Sequence, residues 1–126
     1  MKSLFTVAVI LFAAFMNSPW KAPDWADEMK NPRVGEADAI TEGEDLYFSY
    51  CWSCHGEDGI GHGPASHTID TTPADLTSTT VQQQTDGALY WKMSNGRNDM
   101  APYEGVLSED QRWALVTYIR TLSSSK

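Results

Sequence analysis

Two cysteines and a histidine within five residues, Cys51-Trp52-Ser53-Cys54-His55, constrain this chain more than any other feature, and they include every cysteine it has. Two thiols separated by two residues can each form a thioether to a haem vinyl group. The residue that follows then turns its imidazole toward the iron, so one short segment fixes both ring and ligand. Redox dithiols and half zinc sites share the C-x-x-C spacing. Zinc would need two further ligands, for which only His62 and His67 are spare, and a thioredoxin-like dithiol would need a βαβ setting that the sequence lacks. Covalent haem is the favoured reading, with structural zinc and a redox dithiol as its alternatives.

A chain of 126 residues has room for one core, which excludes a multidomain enzyme. Nine Lys and Arg against seventeen Asp and Glu give a net charge of -8, which repels a polyanion, so no nucleic-acid partner is expected. Met1-Lys2-Ser3 leads into an apolar stretch over residues 4–16 that is broken only by Thr6. This is the pattern of a secretory signal, and it falls short of the ~20 apolar residues that span a bilayer. The expected division is a signal peptide over residues 1–18, an extended leader over 19–39 and the folded domain over 40–123. The setting is exported: periplasmic, or membrane-associated on the outer face of the cytoplasmic membrane.

The leader holds Pro19, Pro23 and Pro32, with Trp20 and Trp25 among charges, and is expected to lie as a strap on its own domain, the alternative being that its two tryptophans dock onto a partner. Thr41-Glu42-Gly43-Glu44 matches a capping box and predicts a helix opening at Thr41, with Leu46, Tyr47 and Tyr50 at helical spacing up to Cys51. Gly56, Gly59, Gly61, Gly63 and Pro64 then exclude regular structure and let backbone pass close to something bulky. Thr71 to Thr80 is expected to form a turn and short helix around Pro73-Ala74-Asp75-Leu76. A helix from about Asp86 to Ser94 should stop at Asn95-Gly96, and a final one should be capped by Ser108-Glu109-Asp110-Gln111 and carry Trp113, Val116, Tyr118, Ile119 and Leu122. No stretch alternates convincingly, so the domain is expected to be all-α.

An iron held by His55 needs its second face assigned, and the candidates are Met100, Met93, Met29, His62 and His67. Met93 falls in line with Leu89 and Tyr90 and reads as core; Met29 reads as adaptable packing, and the two histidines as solvated. Met100 lies in an irregular loop, Gly96-Arg97-Asn98-Asp99-Met100-Ala101-Pro102-Tyr103, where no periodic face explains an apolar residue. It is the candidate thioether ligand, the alternative being a buried-loop methionine.

With these residues in place the chain resembles class I monohaem c-type cytochromes over about residues 39–122. The resemblance rests on Gly43 and Tyr47, the pentapeptide, Gly63-Pro64, Met100 with Pro102, and Tyr118; Ala101 separates Met100 from Pro102, where many members place proline directly after methionine. It implies a cytochrome c fold of three to five helices around one covalent haem c, with Gly43 allowing the first and last helices to cross near Tyr118. It also implies that the Pro64 carbonyl accepts the His55 Nδ1 proton, and that the leader is of a kind found on cytochromes serving larger membrane complexes. His/Met ligation leaves no open position on the iron, which favours one-electron transfer in a respiratory chain, as a carrier or complex subunit, over enzyme chemistry. A haem enzyme or gas or redox sensor with a dissociable Met100 is the alternative. Arg97 and Trp91 are candidate donors to haem propionates, against a solvated Arg and a core Trp. Ten of the seventeen acids lie between Asp24 and Asp58, a negative face suited to a redox partner with a basic docking surface, the alternative being a solvated, solubilising face.

Overall fold

The computed structural model describes residues 19–123, so the expected signal peptide lies outside the described residues. Five α-helices follow in order: α1 (Ala37–Tyr50), the single turn α2 (Trp52–His55), α3 (Thr79–Gln82), α4 (Asp86–Asn95) and α5 (Glu109–Thr121). Two 3₁₀ turns, Asp24–Glu28 and Pro64–Thr68, complete the set, and the described residues contain no strand beyond an isolated bridge between Arg97 and Met100. The described residues are all-α, as expected.

The core forms where α1 and α5 cross. Gly43 makes the crossing possible, because a Cβ there would run into the Ala114 carbonyl and stand 2.7 Å from Tyr118 Cβ. Tyr47, Leu115 and Val116 are wholly buried at this contact, and the Tyr47 and Tyr118 rings lie 5.3 Å apart. Helix α4 joins through a stack of Tyr90 on Trp113, centroids 3.9 Å apart and planes 18° from parallel. The Arg112 guanidinium lies 4.7 Å from the Tyr90 ring centre, buried, and donates to Ser94 Oγ. Near the other end of α5, Arg120 ties the end of α3 to the start of α4, donating to Asp86 at 2.7 Å and to the Gln82 carbonyl at 2.9 Å.

Both long C-terminal helices carry a boundary signal legible in the sequence, α5 at its start and α4 at its end. Ser108 and Gln111 form the reciprocal capping box of α5, and Gly96 ends α4 at a φ of 64°. The first helix differs from expectation. It begins at Ala37, with Glu36 before it in extended conformation, and Thr41 is an interior residue whose hydroxyl donates to the Ala37 carbonyl at 3.2 Å. The Thr41 box loses to burial: Ala39, on the added turn, is fully enclosed. Asp38 suits the positive end of the helix, and Arg33 gathers Glu36, Glu42 and Asp110 at 3.1, 2.6 and 3.1 Å around the same end. The short helix also moves, from the neighbourhood of Pro73 to Thr79–Gln82, because Ser78 Oγ accepts from Val81 N–H and supplies the cap that residues 73–76 lack.

The leader does lie on its own domain. Ala22 and Ala26 are buried against Ala88, with Trp91 packed beside them, while Trp25 stays 60% exposed. Asn31 continues the attachment, donating to Asp86 and to Thr117, each at 3.0 Å.

Candidate haem site

The pentapeptide is positioned by the end of α1. Cys51 is the C-cap of that helix, its N–H donating to the Tyr47 carbonyl at 2.8 Å, and the same residue opens α2, whose one turn carries Cys54 and His55. The glycine loop wraps this turn and satisfies its carbonyls: Gly61 N–H donates to His55 at 2.7 Å and Gly63 N–H to Cys54 at 3.0 Å. Gly56, Gly59 and Gly61 all take positive φ, between 83° and 94°, which a side chain would resist. Tyr47 closes the turn from beneath, its hydroxyl donating to the Gly56 carbonyl at 2.5 Å.

His55 Nδ1 lies 2.9 Å from the Ala74 carbonyl oxygen. A carbonyl only accepts, so the proton sits on Nδ1 and Nε2 keeps its lone pair for a metal. Burial holds the His55 pKa below its ordinary value, and the Ala74 contact offsets part of that. The neutral ring is therefore favoured. This corrects the acceptor implied by the family resemblance. Pro64 opens a 3₁₀ turn, in which carbonyls run along the turn axis, while residues 73–76 are drawn under the imidazole by the Leu76 N–H bond to Gly59 at 2.7 Å.

A cavity of about 450 Å³ opens beside α2, and Cys51, Cys54, His55 and Met100 all line it. Met100 reaches it from a tight loop after α4, closed by reciprocal backbone bonds between residues 97 and 100 at 2.9 and 3.0 Å. Asp99 Oδ2 accepts from Thr71 N–H at 3.0 Å and so joins the methionine loop to the segment that carries Ala74. Arg97 lines the same cavity, whereas Trp91, Met93, Met29, His62, His67 and Pro64 do not. Met93 is buried in the core, Met29 packs against it, and both remaining histidines are exposed. Ala74, Tyr103 and Trp20 line the cavity and were missed as site residues. For Ala74 the signal was the constrained turn beside Pro73.

The donor set fits haem c. Both cysteines are free thiols at the cavity wall, and desolvation, with Cys54 nearby, pushes the Cys51 thiol up to about 12. A redox dithiol needs the opposite shift. No group of three or more His, Cys, Asp and Glu that could hold a metal ion occurs among the described residues, which leaves the zinc alternative without a ligand set. Cys51 and Cys54, both half-buried, would hold the haem: each thiol would add across a vinyl group, sulfur to one carbon and hydrogen to the other, leaving two uncharged thioethers.

An all-α chain that presents this pentapeptide to such a cavity is a c-type cytochrome: it binds haem c covalently and serves haem-based electron transfer. Residues 38–119 match the family described as "Cytochrome C oxidase, cbb3-type, subunit III", and the chain belongs to that family. It is also similar to cytochrome c6 of Euglena gracilis, 29% identical over an 84-residue alignment that covers 63% of this chain and 87% of that protein. Among solved structures it resembles a chain of the reducing HAO-like protein complex of Kuenenia stuttgartiensis, with a TM-score of 0.66, 25% identity and 88% of this chain covered. This protein spans 54% of the length of that chain. Cytochrome CL of Methylophaga aminisulfidivorans shares the fold at a TM-score of 0.61 and 21% identity, with 85% of this chain and 70% of that one covered.

Proposed function

We propose that the protein moves single electrons through one haem c held between His55 and Met100, and that it is not itself an enzyme. The observation that carries this reading is the shared cavity, where a neutral imidazole on one segment and a thioether on another accompany both attachment thiols. A six-coordinate iron changes oxidation state without offering a position to oxygen or peroxide. Met100 stabilises the ferrous state through its soft sulfur, and enclosure disfavours the net charge of the ferric one, so the potential is positive.

The proposed setting is an exported respiratory chain, periplasmic or on the outer face of the cytoplasmic membrane. The signal-like residues 1–18 support export, and no helix among the described residues is long and apolar enough to cross a membrane. Family membership and the likeness to a complex component support service to a membrane respiratory complex, as subunit or as carrier. The net charge of -8 and the acids concentrated between Asp24 and Asp58 favour partners with a basic docking surface.

Spectra of the purified, exported protein with and without dithionite test the reading. The expected result is a low-spin c-type spectrum with the weak long-wavelength ferric band of sulfur ligation, and no rapid carbon monoxide binding at neutral pH. Rapid, saturable carbon monoxide binding to the native protein would instead establish an open or readily opened iron, and with it a sensor or enzyme.

A further inference from the structure

The N-terminal strap does more than cover α4. Trp20, near its start, is half-buried, lines the cavity shared by Cys54, His55 and Met100, and has Lys92 Nζ and Arg97 Cζ at 5.5 and 5.9 Å from its ring centre. The strap is anchored immediately after it. Ala22 and Ala26 are buried on Ala88, and the Thr85 hydroxyl donates to Asp27 at 2.6 Å. Gly87 lets the backbones meet, since a Cβ at that position would run into the Ala26 carbonyl and come within 2.9 Å of that of Met29.

We infer that Trp20 forms one wall of the haem cavity, and that docking of the strap on α4 holds it there as a positioning residue for the haem's electrostatic environment. The inference rests on the haem reading of the cavity. An indole on that side excludes water and keeps Lys92 and Arg97 close to a ring rather than fully hydrated. Water exclusion and nearby cations both oppose the extra positive charge of the ferric state. They act in the same direction on the potential.

Five variants of the full chain, four single and one double, matured with haem, test this through midpoint potentials and the rate of haem reduction by a small hydrophilic reductant. Trp20→Ala should shift the potential downward and speed reduction, while Trp20→Phe should keep most of the parental potential because a ring still fills the wall. Gly87→Ala improves intrinsic helix propensity in α4 but displaces the strap, so it should reproduce the Trp20→Ala shift with Trp20 still in the chain. Trp25→Ala, on the exposed side of the same 3₁₀ turn, should leave the potential at the parental value. Combining Trp20→Ala with Gly87→Ala should add no further shift, since both remove one interaction. A haem-loaded Trp20→Ala protein with parental potential and reduction rate overturns the inference alone, as does an additive shift in the double variant. A parent that carries no haem overturns the functional reading together with it.

Discussion

His55 donates its Nδ1 proton to the carbonyl of Ala74 across 2.9 Å, and this contact couples the attachment turn to a segment nineteen residues further along the chain. Through Thr71 and Asp99 the same segment reaches the methionine loop. The imidazole and the thioether are thus held by one connected set of side chain–backbone hydrogen bonds, although forty-five positions separate them in the numbering. An acceptor on Nδ1 fixes the tautomer and raises the basicity of the metal-facing nitrogen.

Gly61 tests that coupling. Its φ is 94°, and a Cβ there would lie 2.6 Å from the Pro73 carbonyl, beside the Ala74 peptide. Gly61→Ala should cost about 1–3 kcal/mol of stability from backbone strain. By pushing residues 73–74 away from the ring it should also shift the midpoint potential. Gly35→Ala, at a φ of 73° with open space around it, should cost stability without touching the potential. Denaturant titration and potentiometry on the two variants separate strain from displacement of Ala74.

Gly43→Ala should destabilise the fold even though alanine is better in a helix by ~1 kcal/mol. The added methyl would meet the backbone of Ala114, which cannot rotate aside, and prying α1 from α5 loosens the packing around Tyr47, Leu115 and Val116. A net loss of about 1–3 kcal/mol is expected in urea unfolding. Parental stability in this variant would mean that the crossing of α1 and α5 can relax.

Much of this architecture is legible in the residues themselves. The Ser108 box and the Asn95-Gly96 stop are local signals that tertiary packing reinforces, and the approach of Gly43 to Tyr118 is the one the family resemblance implies, so sequence and structure agree there. Thr41 is an equally good local signal, and it fails because burial of Ala39 and the charges around Arg33 reward a longer helix. The acceptor for His55 was hidden for a different reason. Backbone carbonyls carry no side-chain signature, and whether residue 64 or residue 74 passes under the ring depends on how the glycine loop closes. The anchoring of the strap through Gly87 and Ala26 is a backbone contact between distant segments, which no periodicity announces.

Tyr47→Phe removes the short hydroxyl donor to the buried Gly56 carbonyl, which keeps only the longer Gly59 N–H contact at 3.3 Å, at an expected cost of ~1 kcal/mol. The variant should also change the alkaline limb of the stability profile. Burial, foremost among the causes, raises the Tyr47 pKa well above its ordinary value of 10.0 in the folded chain. The unfolded chain therefore loses this proton first, and the contribution of Tyr47 is complete below about pH 10 and declines as pH rises beyond it. Thermal unfolding across alkaline pH should show a shallower decline in Tyr47→Phe than in the parent, measured on protein with haem in place.

Met100 and Met93 lie seven positions apart, on different surfaces of the same region, and substituting each gives opposite signatures. Met100→Ala removes a side chain that lines the haem cavity, so the long-wavelength ferric band should vanish, the potential should fall and carbon monoxide should bind rapidly. Its effect on folding is small in comparison, because Met100 is only half-buried. Met93 is 5% exposed within the cluster that holds Tyr90 and Trp113 and does not line the cavity. Met93→Ala should lower stability by about 2–5 kcal/mol through the void it leaves, with the ferric band and the potential retained. Spectra, potentials and urea unfolding on the two proteins decide the matter together. A band that survives Met100→Ala and is lost in Met93→Ala would move the sulfur ligand into α4 and require that helix to rotate toward the haem.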